Sequence, residues 1–158
     1  MTPAINLLKK RKLPFNVHKY EHDPDATSYG LEAADKLALP YAQVFKTLVV
    51  ELDNKELAVA ILPVDKRLNL KSMAKACGSK KAAMAAPDDV ARSTGYVLGG
   101  VSPLGQKKAL VTRLDSSAEL LSVIFVSAGR RGLEVSLSPQ DMLALTRGKF
   151  APLTQPED

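Results

Sequence analysis

Lys46 is the residue whose setting most invites chemistry. It falls inside VFKTLVVEL, a strongly apolar and β-branched run, and strand alternation puts its side chain on the face of Val44, Leu48 and Val50. A lysine there must pair, reach the rim, or lose part of its proton affinity to desolvation. Two readings follow. As a guard against edge-to-edge aggregation it would sit on an exposed strand edge. As a functional group it would be a cation at a pocket mouth, holding a carbonyl or phosphate oxygen.

Residues 93–108, STGYVLGGVSPLGQKK, are the second place to look. Gly95, Gly99, Gly100 and Gly105 make up four of the nine glycines, and Lys107 and Lys108 follow at once. Such density marks backbone that turns with positive φ or comes close to a ligand. The Gly99-Gly100 pair leaves amides that no side chain shields. The spacing fits neither GxGxxG nor GK[ST], so a ligand-facing loop and a plain structural turn both remain open.

The other reactive residue types yield less. His18 and His22 have a spacing that suits a metal only on a helix, and here one ends a strand while the other enters a loop, so no metal site is expected. Tyr20 shares the strand face of His18, where it would stack, donate a hydrogen bond, or simply be half-buried. Ser127 and Gly129, in FVSAGRRG, follow a strand and would line a pocket or make an ordinary turn. A serine nucleophile needs a positioned base, and neither His is placed to serve. Cys77 lies on the apolar face of a helix and reads as a small buried hydrophobe. No triad, carboxylate pair or phosphate loop is present. The residues by themselves give a pocket with a lysine.

The elements that must position these residues are legible in outline. Thr2-Pro3 caps a short amphipathic helix ending in the basic run 9–12, with Pro14 as its stop. Residues 15–20 alternate as a strand, with Phe15 and Val17 on one face and Asn16, His18 and Tyr20 on the other. A polar loop leads to a second short helix around Leu31, Ala34 and Leu37 or Ala38. Residues 44–52 and 57–62 are the strongest strand signals and form a hairpin over Asp53-Asn54-Lys55. Asn69 caps a helix that ends at Gly78. A short strand at 82–85 and a helical turn from Pro87 precede the glycine stretch. Strands at 109–113, 122–126 and 133–137 follow, then a helix opened by Ser138-Pro139 and closed by Gly148. Residues 151–158 read as a frayed tail after a single domain over 1–150. Helices and strands do not alternate regularly, so the expectation is an α+β domain with a mixed, barrel-like sheet and surrounding short helices.

Composition sets outer limits. The chain has 158 residues, a net charge of +5, one Cys and no Trp. That length supports a core without disulfide staples, and one Cys forms no internal disulfide. No run approaches a membrane span, and the first residues lack a signal-peptide pattern, so a cytoplasmic protein is expected. Paired basic residues permit a polyanionic partner. Zinc spacing, an arginine-rich tract and RNP-like aromatics are missing.

Taken together and in order, TPAINLLKK, YEHD, FKTLVV, LNLKSMAKACGSKK, STGYVLGGVSPLGQKK and GRRGLEVSLSPQDM resemble the YbaK/EbsC family. These are free-standing relatives of the editing domain of bacterial prolyl-tRNA synthetase, and the likeness runs over about residues 2–147. The resemblance implies a mixed, barrel-like fold and a pocket for the aminoacyl end of tRNA. It implies a trans-editing deacylase that clears Cys from Cys-tRNA(Pro), and also from Cys-tRNA(Cys), by attack of the cysteine thiol on its own ester carbonyl. Paralogues that clear Ser or Ala, and a tRNA- or synthetase-binding module without chemistry, are the alternatives. Carried onto this sequence, Lys46 and Gly99 become the catalytic positions. Tyr20, Thr47, Gly100, Ser127 and Gly129 become the substrate-binding ones. The Gly99-Gly100 amides would approach the substrate carbonyl. Charged tRNA and prolyl-tRNA synthetase are the implied partners, with no cofactor, no DNA and no membrane.

Overall fold

The structure, a computed structural model, describes residues 1–155. Thr2 opens the first helix, α1 (Pro3–Arg11): its hydroxyl accepts the Ile5 amide at 3.3 Å, and Lys12 closes the helix in the left-handed conformation. Ala4, Ile5 and Leu8 on one side of α1 are buried. They enter the main core beside Val126, Val135 and Leu137.

The strands fall into two sheets. Strands β1 (Asn16–Lys19), β6 (Ile124–Arg130) and β7 (Leu133–Leu137) form the smaller, antiparallel sheet in the order β1-β7-β6. The larger sheet contains β2 (Phe45–Leu52), β3 (Leu57–Pro63), β4 (Ala82–Met84), β5 (Val111–Asp115) and β8 (Lys149–Ala151). Its order is β4-β2-β3-β5-β8, antiparallel on the β2 side and parallel from β3 to β8. A single parallel bridge, Val44 to Phe125, joins the sheets at the start of β2. The fold is α+β with mixed strands, as the sequence predicts. The strands wrap toward a barrel without closing into a ring among the described residues.

Four more helices complete the fold: α2 (Tyr29–Lys36), α3 (Leu70–Ala76), α4 (Pro87–Thr94) and α5 (Pro139–Thr146). Side-chain caps hold two of them, Asn69 on the Ser72 amide and Ser138 on the Asp141 amide, each at 3.1 Å. Such caps are typically worth about 1 kcal/mol each.

Several expectations need correction. Strands β5 and β6 begin two residues later than predicted, and β6 runs on through Gly129 to Arg130. The glycine does not end the strand; it makes a bulge between Ser127 and Arg130, after which pairing resumes with Leu133. In β1 the apolar face is the core side as expected, Val17 lying opposite the buried Val135 and Phe15 packing on the main core, and Val17 stays 40% exposed because β1 is the edge strand. Helix α5 closes on Arg147 in the left-handed conformation, with Gly148 one residue beyond. The predicted tail is anchored as far as it is described. Ala151 lies in β8, Leu153 is fully buried, and the Leu153 amide donates to Asp115 Oδ1 at 2.9 Å. The Asn69 amide donates in turn to the Leu153 carbonyl at 2.7 Å. Leu153 completes a second core with Val50, Leu62 and Met73, an apolar contribution invisible to strand or helix periodicity. Residues 156–158 lie outside the described residues. No helix among the described residues is long and apolar enough to cross a membrane.

Candidate active site

Beyond the Val44–Phe125 bridge no further pairing joins β2 to β6 among the described residues, and a cavity of about 230 Å³ opens there. Strand β4 pairs only with Val50–Leu52, so it does not cover the first half of β2. Lys46 therefore sits on an uncovered stretch of strand that faces a cavity. Its ammonium is half-buried, and desolvation holds its pKa below the usual lysine value; Asp65 pulls it back up and Arg67 pushes it further down. The lysine thus borders a pocket, on a stretch of β2 that β4 leaves uncovered. Thr47 beside it also lines the cavity, and its buried Oγ1 has no hydrogen-bond partner among the described residues. Leaving such a hydroxyl unmatched costs about 1–3 kcal/mol.

A further wall is the face of the three-stranded sheet turned away from the main core. Register places His18 and Ser127 on either side of Glu134, and Asn16 and Phe125 on either side of Ser136. Directly opposed residues project to the same face, so this face carries a polar row through its middle. His18 Nε2 is hydrogen-bonded to Ser136 Oγ at 2.9 Å, and its ring stands 4.9 Å from that of Phe125. Ser127 Oγ accepts the Gly129 amide at 3.1 Å. Glu134, 6% exposed, borders the cavity, and burial pushes its carboxyl up to about 8. Tyr20, just past β1, is raised mainly by burial and in part by the charge of Glu134.

The glycine stretch and the start of α2 form the rim. The Arg131 guanidinium lies 3.7 Å over the Tyr29 ring, and its Nη2 reaches the Leu98 carbonyl at 3.5 Å. This cation–π contact clasps the β6–β7 turn to the two rim segments. Gly99, with φ +90°, sits under the clasp: a Cβ there would lie 2.6 Å from the Arg131 guanidinium and 2.8 Å from Tyr29. Behind Tyr29, Glu32 fixes the loop. Burial works against its charge, yet His22 Nδ1 at 2.6 Å and the Asp23 amide at 2.7 Å hold its carboxyl below the usual range.

Of the residues expected to act, Lys46, Thr47, Tyr20, Gly99 and Ser127 line this one cavity. Gly100 and Gly129 do not. The Gly100 amide donates to the Val97 carbonyl at 3.0 Å, and the residue packs on the Arg130 backbone. Its amide is therefore already used inside the turn, against the expectation that it approaches the substrate. Gly129, with φ +111°, leaves room for the Tyr96 ring, which a Cβ would meet at 2.6 Å. Both glycines hold the rim against β6 from behind. His18 and His22 bind different partners, and no three His, Cys, Asp or Glu side chains gather as a ligand set among the described residues.

Sequence reasoning missed Glu134, Tyr29 and Arg131. Glu134 carried the same signal as Lys46, a charge inside an apolar strand, LEVSL. The signal is ambiguous, because alternation with Leu133, Val135 and Leu137 is equally what a solvated face produces. The contact between Tyr29 and Arg131 spans about a hundred residues, and no local pattern encodes it.

Three comparisons bear on this site. Residues 23–145 match the family model of the aminoacyl-tRNA editing domain. EbsC of Enterococcus faecalis, whose provisional name is Cys-tRNA(Pro)/Cys-tRNA(Cys) deacylase, is 37% identical over 156 residues, 99% of this chain and 94% of its own. A proline–tRNA ligase of Trichlorobacter lovleyi is 29% identical over 107 residues, 68% of this chain and 18% of the ligase. Among solved structures, a provisionally assigned trans-editing enzyme for prolyl-tRNA synthetase superposes with a TM-score of 0.82 at 24% identity, covering 98% of this chain and 96% of its own.

Proposed function

We propose that this chain, a member of the aminoacyl-tRNA editing domain family, is a cytoplasmic trans-editing deacylase that removes Cys from Cys-tRNA(Pro) and from Cys-tRNA(Cys). The observation that carries this reading is Lys46, a half-buried cation on a cavity wall beside Thr47, with Ser127 lining the same cavity. A lysine so placed binds the phosphate of the terminal nucleotide or orients the 3′ end. Ser127 Oγ is engaged by an amide, and neither His nor Cys lines the cavity among the described residues. The chemistry proposed is the substrate-assisted one that the family resemblance implies. The cysteine thiol attacks its own ester carbonyl, the new S–C bond closes a four-membered thiolactone, and the C–O bond to the ribose breaks. The thiol proton ends on the released 3′-hydroxyl. The protein supplies position, and holding reactants in a near-attack geometry can recover several kcal/mol of a barrier, up to about 7–11.

The decisive experiment is single-turnover loss of labelled cysteine from Cys-tRNA(Pro), with Ser- and Ala-tRNA alongside. The wild type is expected to clear Cys selectively and Lys46→Ala to be slower by about thirtyfold or more, since truncating one partner of a buried charge contact costs about 2–5 kcal/mol. Clearance of Ser or Ala in place of Cys would refute the substrate assignment. No clearance of any would refute deacylation. We further propose that tRNA choice comes from association with prolyl-tRNA synthetase, because a small chain with a net charge of +5 offers little to read tRNA identity. Unaided preference for Cys-tRNA(Pro) over Cys-tRNA(Cys) would refute this.

A further inference from the structure

The cavity wall has one polar group that the proposed chemistry does not use. Glu134 is the only acidic side chain lining the cavity among the described residues; the other charged lining residues are Lys46, Arg130 and Arg131. Its carboxyl is nearly wholly buried, accepts no hydrogen bond among the described residues, and owes its raised pKa to burial alone. Its neighbours are not cationic partners. On β1 the residue opposite is His18, whose Nε2 is committed to Ser136 and whose pKa burial lowers; on β6 it is Ser127. Tyr20 adds a phenol, Glu32 lies beyond Tyr20, and Arg131 is stacked on Tyr29.

The charge pattern matches one end of an aminoacyl-tRNA. That end carries phosphates, which suit the three cations, and a single cationic group, the α-ammonium of the esterified amino acid. We propose that Glu134 is the receptor for the substrate α-ammonium and orients the aminoacyl group with its amine toward the three-stranded sheet. This rests on the deacylase reading and adds a specificity-determining residue to it. A carboxyl that is mostly protonated at pH 7 becomes a carboxylate when an ammonium docks, because the added charge offsets the desolvation that kept it neutral. Binding then expels a proton. An N-blocked or amine-free acyl group would leave the acid neutral and gain no such contact.

Two non-hydrolysable tRNA(Pro) ligands test this, one with cysteine and one with 3-mercaptopropanoate, each joined through a 3′-amide. They differ only in the α-amine. Calorimetry on the wild type at pH 7, in two buffers of different ionisation heat, is expected to show the amine-bearing ligand binding about 10- to 100-fold tighter, as a charge-assisted contact warrants, with up to one proton released. Glu134→Gln is expected to bring the ratio close to one and abolish the proton release. Equal binding of the two ligands to the wild type, a ratio unchanged in Glu134→Gln, or no binding of either overturns the proposal. The wild-type comparison decides the matter even if the variant folds poorly. Amine-dependent binding without deacylation of Cys-tRNA(Pro) would sink the deacylase reading and leave this assignment standing.

Discussion

Glu134 and Lys46 border the same cavity, the first nearly wholly buried and the second half-buried, and the burial of Glu134 should be visible in stability. For Glu134 the folded pKa of about 8 lies above the usual glutamate value of about 4.3. Between these values the folded chain holds a proton that the unfolded chain has lost. Stability from this group is full at acid pH and declines as pH rises through that window, with a slope approaching about 1.4 kcal/mol per pH unit. Glu134→Gln removes the titration. Urea unfolding from pH 5 to pH 9 should therefore show the wild type falling relative to the variant, with the variant the more stable at pH 9. Parallel curves would mean that Glu134 is ionised in the folded protein. The charge of Lys46 was readable from sequence because a lysine among β-branched residues is conspicuous. Its destination was not readable, since it depends on β4 stopping short and on β6 parting from β2, events set by residues far along the chain.

The glycine rim shows how elements divide the work. Gly99 touches the clasp of Arg131 and Tyr29, while Gly129 makes the bulge that seats Tyr96, whose hydroxyl donates to the Leu104 carbonyl at 2.6 Å. Both have positive φ, so alanine strains the backbone at either site, at roughly 1–3 kcal/mol. The consequences differ. Gly129→Ala must also displace a buried ring and is expected to lower Tm by several degrees with modest loss of activity in the protein that remains folded. Gly99→Ala meets flexible side-chain ends and should melt closer to the wild type, while opening the clasp and raising KM. Melting curves beside steady-state deacylation would expose a reversal of this order. Sequence showed that this stretch is special and where its neighbouring helices start and stop, because caps and glycines are local. It did not distinguish a glycine facing the cavity from one packed behind it, because both meet the same φ requirement.

For the whole molecule, the segment just past β8 matters more than its composition suggests. Leu153 is fully buried in the second core, and its amide and carbonyl tie β5 to the start of α3. Leu153→Ala is expected to cost about 2–5 kcal/mol, read as a drop in the denaturant midpoint at unchanged slope. A change under about 0.5 kcal/mol would place this leucine outside the core.

The single bridge between Val44 and Phe125 has a consequence for how such a scaffold can diversify. Two rigid plates joined along one short seam behave like the jaws of a calliper, and the bore between them follows their opening angle. Both sheets contribute to the main core, with Phe45 and Val49 from β2 and Ile124 from β6, and the volume of such side chains would set that angle. Exchanging one of them for a bulkier or slimmer one would change which acyl group fits while leaving Lys46, Thr47 and Glu134 untouched.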